Sequence, residues 1–142
     1  LGAEVRITGR SQDDAHAESR RLAREEGLVE ISPFDDPHVI AGQGTVAMVI
    51  LMQFTSPLEA IFFPVGGGGL IAGMAAYIKY VRPEIKIIGV EPEDAACLKA
   101  ALAAGERVIL DEVGIFAEGV AVKAPPVKVW HPLEAHERQS ER

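Results

Sequence analysis

The densest chemical signal in the chain is Gly66-Gly67-Gly68-Gly69, set between an apolar run, Ala60 to Val65, and a helix-forming stretch, Leu70 to Tyr80. Glycine loses more backbone freedom on folding than any other residue. A turn built from four of them persists where the backbone must approach something closely. A tight turn alone needs positive φ at one or two positions, and four in a row exceed that need. At a helix N-terminus the free N–H groups and the helix dipole favour an anion. A phosphate suits best, because its oxygens can accept several of those donors together. The candidate donors are the N–H groups of Gly66, Gly67, Gly68, Gly69 and Leu70.

The pattern leaves the kind of phosphate open. Gly67-Gly68-Gly69-Leu70-Ile71-Ala72 also fits the G-x-G-x-x-A form of dinucleotide sites, and Glu91 ends the next apolar run, where a ribose-binding acid would stand. A Rossmann-like phosphate- or nucleotide-binding module without catalysis is therefore a rival reading. A P-loop is excluded, since no Gly-Lys-Ser or Gly-Lys-Thr occurs.

The elements that position this turn are legible on both sides. Val5 to Thr8 and Leu28 to Ser32 read as short strands. Ser11 to Glu26 reads as a helix, capped by Ser11 or Asp13 and stopped by Gly27. Pro33 to Pro37 reads as a loop, and a helix is expected from about Gln43 to Phe54 with Thr45 as its cap. The runs Ala60 to Val65 and Ile85 to Val90 do not alternate, so strands buried on both faces are expected. With the helix Leu70 to Tyr80 between them they form a βαβ unit, hence a parallel sheet with right-handed crossovers. A short helix is expected from Asp94 to Ala104, ending at Gly105. Val108 to Leu110 is a weak strand candidate, and Gly114 to Val122 reads as loop and strand near the active end of the sheet. The fold class is α/β, a parallel sheet with flanking helices.

Bulk composition narrows the function classes. With 48% hydrophobic and 25% charged residues, the 142-residue chain is of globular type. Its net charge of −7 and the lack of a basic stripe argue against nucleic-acid binding. No stretch approaches membrane-spanning length, and the first residues do not form a signal peptide. The single cysteine, Cys97, rules out an intrachain disulfide and suits a reducing, cytoplasmic compartment. The opening at Leu1 rather than Met leads us to expect a piece of a longer protein.

Four segments, in order, resemble the threonine deaminases (threonine/serine dehydratases) among the fold-type-II, tryptophan-synthase-β-like pyridoxal-phosphate enzymes. They are Phe34 to Thr45, Pro64 to Gly73, Val90 to Ala100 and Phe116 to Lys123, within a match over about residues 2–123. The resemblance implies pyridoxal 5'-phosphate as cofactor, with its phosphate on Gly66 to Leu70 and a second contact from Glu118, Gly119 and Val120. It implies a threonine ammonia-lyase: β-elimination of water from L-threonine or L-serine, giving a 2-oxo acid and ammonia, as in isoleucine biosynthesis. It further implies a small amino-acid substrate and a homo-oligomer, with no nucleic-acid or membrane partner. Residues 1–32 would end the small catalytic subdomain, 33–123 would belong to the large cofactor-binding domain, and 124–142 would be a divergent tail.

The resemblance also exposes gaps. The family's Schiff-base lysine lies in a Ser-x-Lys motif, and none of Lys79, Lys86, Lys99, Lys123 and Lys128 has that context. The asparagine facing the cofactor ring and the serine motif at its pyridine nitrogen are missing too. A lysine is needed to carry the cofactor and move the α-proton, so the chain by itself is expected to be inactive, and an inactive remnant that associates with a full-length homologue is a second rival reading. Glu91 and the carbonyl of Ala95 correspond to a cation site of some relatives. Cys97 stands where metal-binding racemases place a carboxylate, which disfavours Mg²⁺ and Ca²⁺ and leaves a monovalent ion such as K⁺. A helix cap is the favoured role for Glu91. His16, His38, His131 and His136 lack metal-site spacing, and Cys97 reads as a small buried apolar residue.

Overall fold

The computed structural model describes residues 2–9, 11–114 and 116–125. The chain divides into two compact units, Leu1–Ile31 and Ser32–Arg142.

In the first unit, helix α1 (Gln12–Glu26) starts and stops on local chemistry. The Ser11 hydroxyl accepts from the Asp14 N–H at 3.2 Å, and the Asp14 carboxylate accepts from the Ser11 N–H at 3.1 Å, a closed capping box. Gly27, at φ 67°, ends the helix in the left-handed region. Arg21 pairs with Glu18 and Glu25 along the helix, which holds its guanidinium above the ordinary value and the Glu18 carboxyl below it. No residue of α1 is buried.

Two expected strands are absent here. Val5 to Thr8 and Leu28 to Ser32 pair with no other strand among the described residues, and Ile7 and Val29 are 94% and 88% exposed. An apolar β-prone run becomes a strand only when a partner satisfies its backbone, and none is supplied.

The second unit is an α/β layer. Helix α2 (Pro37–Gln53) begins well before the expected start at Gln43. Asp36 accepts from the N–H groups of His38 and Val39 at 2.8 and 3.2 Å, and Pro37 sits in the first turn, where its missing N–H costs nothing. Thr45 is no cap: inside the helix, its hydroxyl donates to the Gly42 carbonyl at 2.7 Å. Strand β1 (Ala60–Pro64), helix α3 (Gly69–Val81) and strand β2 (Lys86–Val90) follow. The two strands pair in parallel, from Ala60 against Lys86 to Pro64 against Val90. A one-turn 3₁₀ helix, Glu93–Ala95, leads into helix α4 (Cys97–Ala104), closed by left-handed Gly105. The expected Asp94–Ala104 helix is thus broken at Ala96.

The core gathers Ala47 of α2, Phe63 of β1, Ile71, Met74 and Ile78 of α3, Ile85, and Leu98 and Ala101 of α4. Helices α2 and α3 meet at Gly44 and Gly73, where a Cβ on Gly73 would overlap the Ile40 carbonyl oxygen. The strands are not buried on both faces as expected. Phe63 is 3% exposed, but its neighbour Phe62 is 65% exposed. Successive residues of a strand face opposite sides, and the Phe62 side is open. Val108 to Leu110 forms no strand, although the Leu110 N–H donates to the Lys123 carbonyl at 2.8 Å. In place of the strand expected within Gly114 to Val122 there is a 3₁₀ turn, Glu118–Val120. The expected tail, with Lys128, His131 and His136, lies outside the described residues beyond Pro125.

Candidate phosphate-binding turn

The parallel ladder ends where the Val65 N–H donates to the Val90 carbonyl at 2.9 Å. The chain then turns through the glycines and enters α3. Gly68 is the N-cap residue, at φ 79° and ψ −2°, and no side chain caps the helix. The first helical bond runs from the Ala72 N–H to the Gly68 carbonyl at 3.0 Å. Among the described residues, the N–H groups of Gly66 to Leu70 donate to no protein acceptor. A buried helix start left in this state needs a partner, and Gly68 and Gly69 are both buried.

The glycines answer to several neighbours. Positive φ accounts for Gly68. A Cβ on Gly66 would lie 2.8 Å from Cα of Val120 and 3.3 Å from the Gly119 oxygen. On Gly67 it would overlap the ring of Phe34, and on Gly69 it would lie 2.8 Å from the Phe34 oxygen. The number of glycines is therefore set largely by packing within the protein, and it is the unfilled donors that mark an anion site.

The same geometry brings together two of the sequence-derived groups. Gly119 and Val120, in the 3₁₀ turn, lie against Gly66, while the Glu118 side chain is exposed. That segment is anchored upstream, where the Gly114 N–H donates to the Asp94 carbonyl at 2.9 Å. Phe34 was not singled out by sequence reasoning beyond its place in a matching segment. No local pattern announces that its ring will cover a glycine so far along the chain.

Glu91 does different work. Its carboxylate accepts from the Leu98 and Lys99 N–H groups, each at 2.9 Å, so it caps α4 from the end of β2. Each of its oxygens thus has an N–H partner within the protein, the role of a helix cap. Ala95 is buried, and among the described residues no group of three or more His, Cys, Asp or Glu could hold a metal ion. Burial, with the Glu91 charge beside it, pushes the Cys97 thiol up to about 11, which disfavours the reactive thiolate. Two lysines are likewise structural. Lys79 donates to the carbonyls of Pro83 and Ile85 at 3.0 and 2.8 Å, and Lys123 to that of Asp111 at 2.9 Å.

Residues 1–140 match the family described as pyridoxal-phosphate dependent enzyme. This chain belongs to that family. The pyridoxal-phosphate enzyme chain is 63% identical over 123 residues to the chloroplastic biosynthetic threonine dehydratase of Arabidopsis thaliana, covering 87% of this chain and 21% of that protein. It is 57% identical to the biosynthetic L-threonine dehydratase of Burkholderia multivorans, covering 86% of this chain and 24% of the other. The chain thus spans between a fifth and a quarter of these relatives. Among solved structures, the processed form of threonine deaminase isoform 2 from Solanum lycopersicum superposes with a TM-score of 0.88 at 44% identity, over 94% of this chain and 38% of that one. Maize serine racemase does so with a TM-score of 0.84 at 30% identity, over 94% and 40%. The fold is that of the fold-type-II enzymes, and pyridoxal 5'-phosphate is the family's cofactor.

The residues present fit the phosphate end of that cofactor. The N–H donors at this uncapped helix start have no protein acceptor among the described residues, and at Gly66, Gly67 and Gly69 the neighbouring atoms leave no room for a Cβ.

Proposed function

We propose that this chain forms the phosphate-holding part of a pyridoxal-phosphate-dependent threonine ammonia-lyase. The observation that carries the reading is the uncapped glycine turn at the start of α3, within a sequence so similar to biosynthetic threonine dehydratases. The N–H groups of Gly66 to Leu70 bind the phosphate, with the backbone of Glu118 to Val120 beside them. Bound there, the cofactor supplies an electron sink for the carbon that loses its proton. The turn's part is to anchor and orient it through fixed donors that need no reorganisation. In the overall reaction L-threonine loses water across Cα and Cβ. The released enamine tautomerises and takes up water, giving 2-oxobutyrate and ammonia; L-serine would give pyruvate by the same route.

In this reading residues 33–123 belong to the large cofactor-binding domain, and residues 1–32 end the small one. The lysine that holds the cofactor is not among this chain's lysines, two of which are tied to backbone carbonyls. The chain alone should therefore release no 2-oxobutyrate from threonine. We further propose that it works within a homo-oligomer, an idea supported by exposed Phe62, Met52 and Tyr80. Sedimentation over a concentration series tests this, and a monomer throughout would contradict it. A K⁺ ion at Glu91 and Ala95 is the weaker of two roles for that carboxylate, since an ion would have to share oxygens that already cap α4.

The test of the phosphate reading is titration with pyridoxal 5'-phosphate, pyridoxal and NAD. Preference for pyridoxal 5'-phosphate over pyridoxal is expected. Equal binding of the two, or tighter binding of NAD, would replace this reading with another.

A further inference from the structure

Phe34 meets the glycine turn twice. Its ring occupies the space of a Cβ at Gly67, and its backbone that of a Cβ at Gly69. The residue is itself held from both sides. Just after it, the Asp35 N–H donates to the Ser32 hydroxyl at 3.0 Å, and Asp36 then caps α2. The ring is therefore carried by a short stretch of hydrogen-bonded backbone at the entry to α2. Opposite, Val120 closes on Gly66.

We infer that Phe34 is a positioning residue for the phosphate turn: its ring holds Gly67 in the path that leaves the N–H groups of Gly66 to Leu70 without a protein acceptor. This inference rests on the phosphate reading above. It makes a distinction that reading does not. If the anion itself needed the space at Gly67, any side chain there would block it directly. In the geometry described here the obstacle is the Phe34 ring, so a methyl group at Gly67 acts indirectly, by displacing the turn.

Gly69 provides an internal control. The atoms crowding it are the oxygen, Cα and Cβ of Phe34, at 2.8, 3.0 and 3.0 Å. All three persist when Phe34 becomes alanine, whereas the ring atoms crowding Gly67 do not. Removing the ring should relieve one glycine and leave the other as it was.

The experiment titrates the chain with pyridoxal 5'-phosphate and with pyridoxal, following ring absorbance, so that the ratio of affinities reports the phosphate contact. If the unmodified chain shows no preference for the phosphorylated compound, the phosphate reading falls and this inference falls with it. Given that preference, Gly67→Ala should lower it by about tenfold, on the order of one well-formed hydrogen bond. The double variant Phe34→Ala/Gly67→Ala should recover to the level of Phe34→Ala alone. Phe34→Tyr/Gly67→Ala keeps the ring and should not recover, and Phe34→Ala/Gly69→Ala should stay as impaired as Gly69→Ala. Should Gly67→Ala not fold, return of cooperative unfolding and of the preference in Phe34→Ala/Gly67→Ala supports the inference. Failure of the double variant to recover, or equal recovery at Gly69, overturns it while leaving the phosphate reading intact.

Discussion

Helices α1 and α3 begin in opposite ways. The first seals its own N-terminus with Ser11 and Asp14, carries ion pairs along its surface and buries nothing. The second has a glycine for a cap, no side chain at its opening, and seven buried residues. Helix α4 stands between them: its local sequence supplies no cap, and Glu91 supplies one from the end of β2. A helix start whose first N–H groups are left for a ligand gains less from a cap of its own. It must then be stabilised by packing elsewhere along its length, and α3 has that packing whereas α1 has none.

The contrast can be broken most severely at Gly73, where α3 passes α2. Gly73→Val places carbon atoms on the Ile40 carbonyl and should destabilise the protein by ~3 kcal/mol or more, read from chemical denaturation. An equally bulky change on the exposed face of α1 should pass almost unnoticed.

Next comes pH at the start of α4. The Cys97 thiol is raised from 9.0 to about 11 by burial and by Glu91. The folded state thus keeps its proton where the unfolded thiol loses it. The stability tied to this group is fully present below pH 9 and is lost as pH climbs through 11, by ~1–2 kcal/mol in all after allowance for solvent screening. Comparing unfolding midpoints of the unmodified chain and Cys97→Ala across that range isolates the effect. Parallel curves would show that the thiol is less enclosed than the structure has it.

Loss of the α1 cap should matter less. Ser11→Ala removes one side of the capping box and should cost ~1 kcal/mol in local helix stability, visible as faster amide exchange in the first turn of α1. Smallest of all is Arg21→Ala, which breaks exposed pairs with Glu18 and Glu25. No shift in thermal midpoint beyond error is expected.

What could be read from the sequence divides along the same line. Ser11, Gly27 and Gly105 act within a few residues of themselves, and they were legible as stops and starts. The glycine turn was legible because four glycines have no local explanation. The early start of α2 was missed because Asp36-Pro37 was read as the end of a loop, although an acid before a proline is equally a cap followed by a first helical residue. The strands expected at Val5 to Thr8 and Leu28 to Ser32 failed for lack of a partner, which no local pattern reports. Phe34 lies furthest from sequence reasoning. Its part depends on a contact with residues more than thirty positions away, and only folding brings the ring to Gly67.

The enclosed thiol at the head of α4 has one more use. Cys97 is the chain's single cysteine and is 0% exposed. Alkylating reagents can reach it only when the structure around the head of α4 opens. The rate of labelling under native conditions is therefore a clock for that opening, read by mass at one site and free of background from any other sulfhydryl.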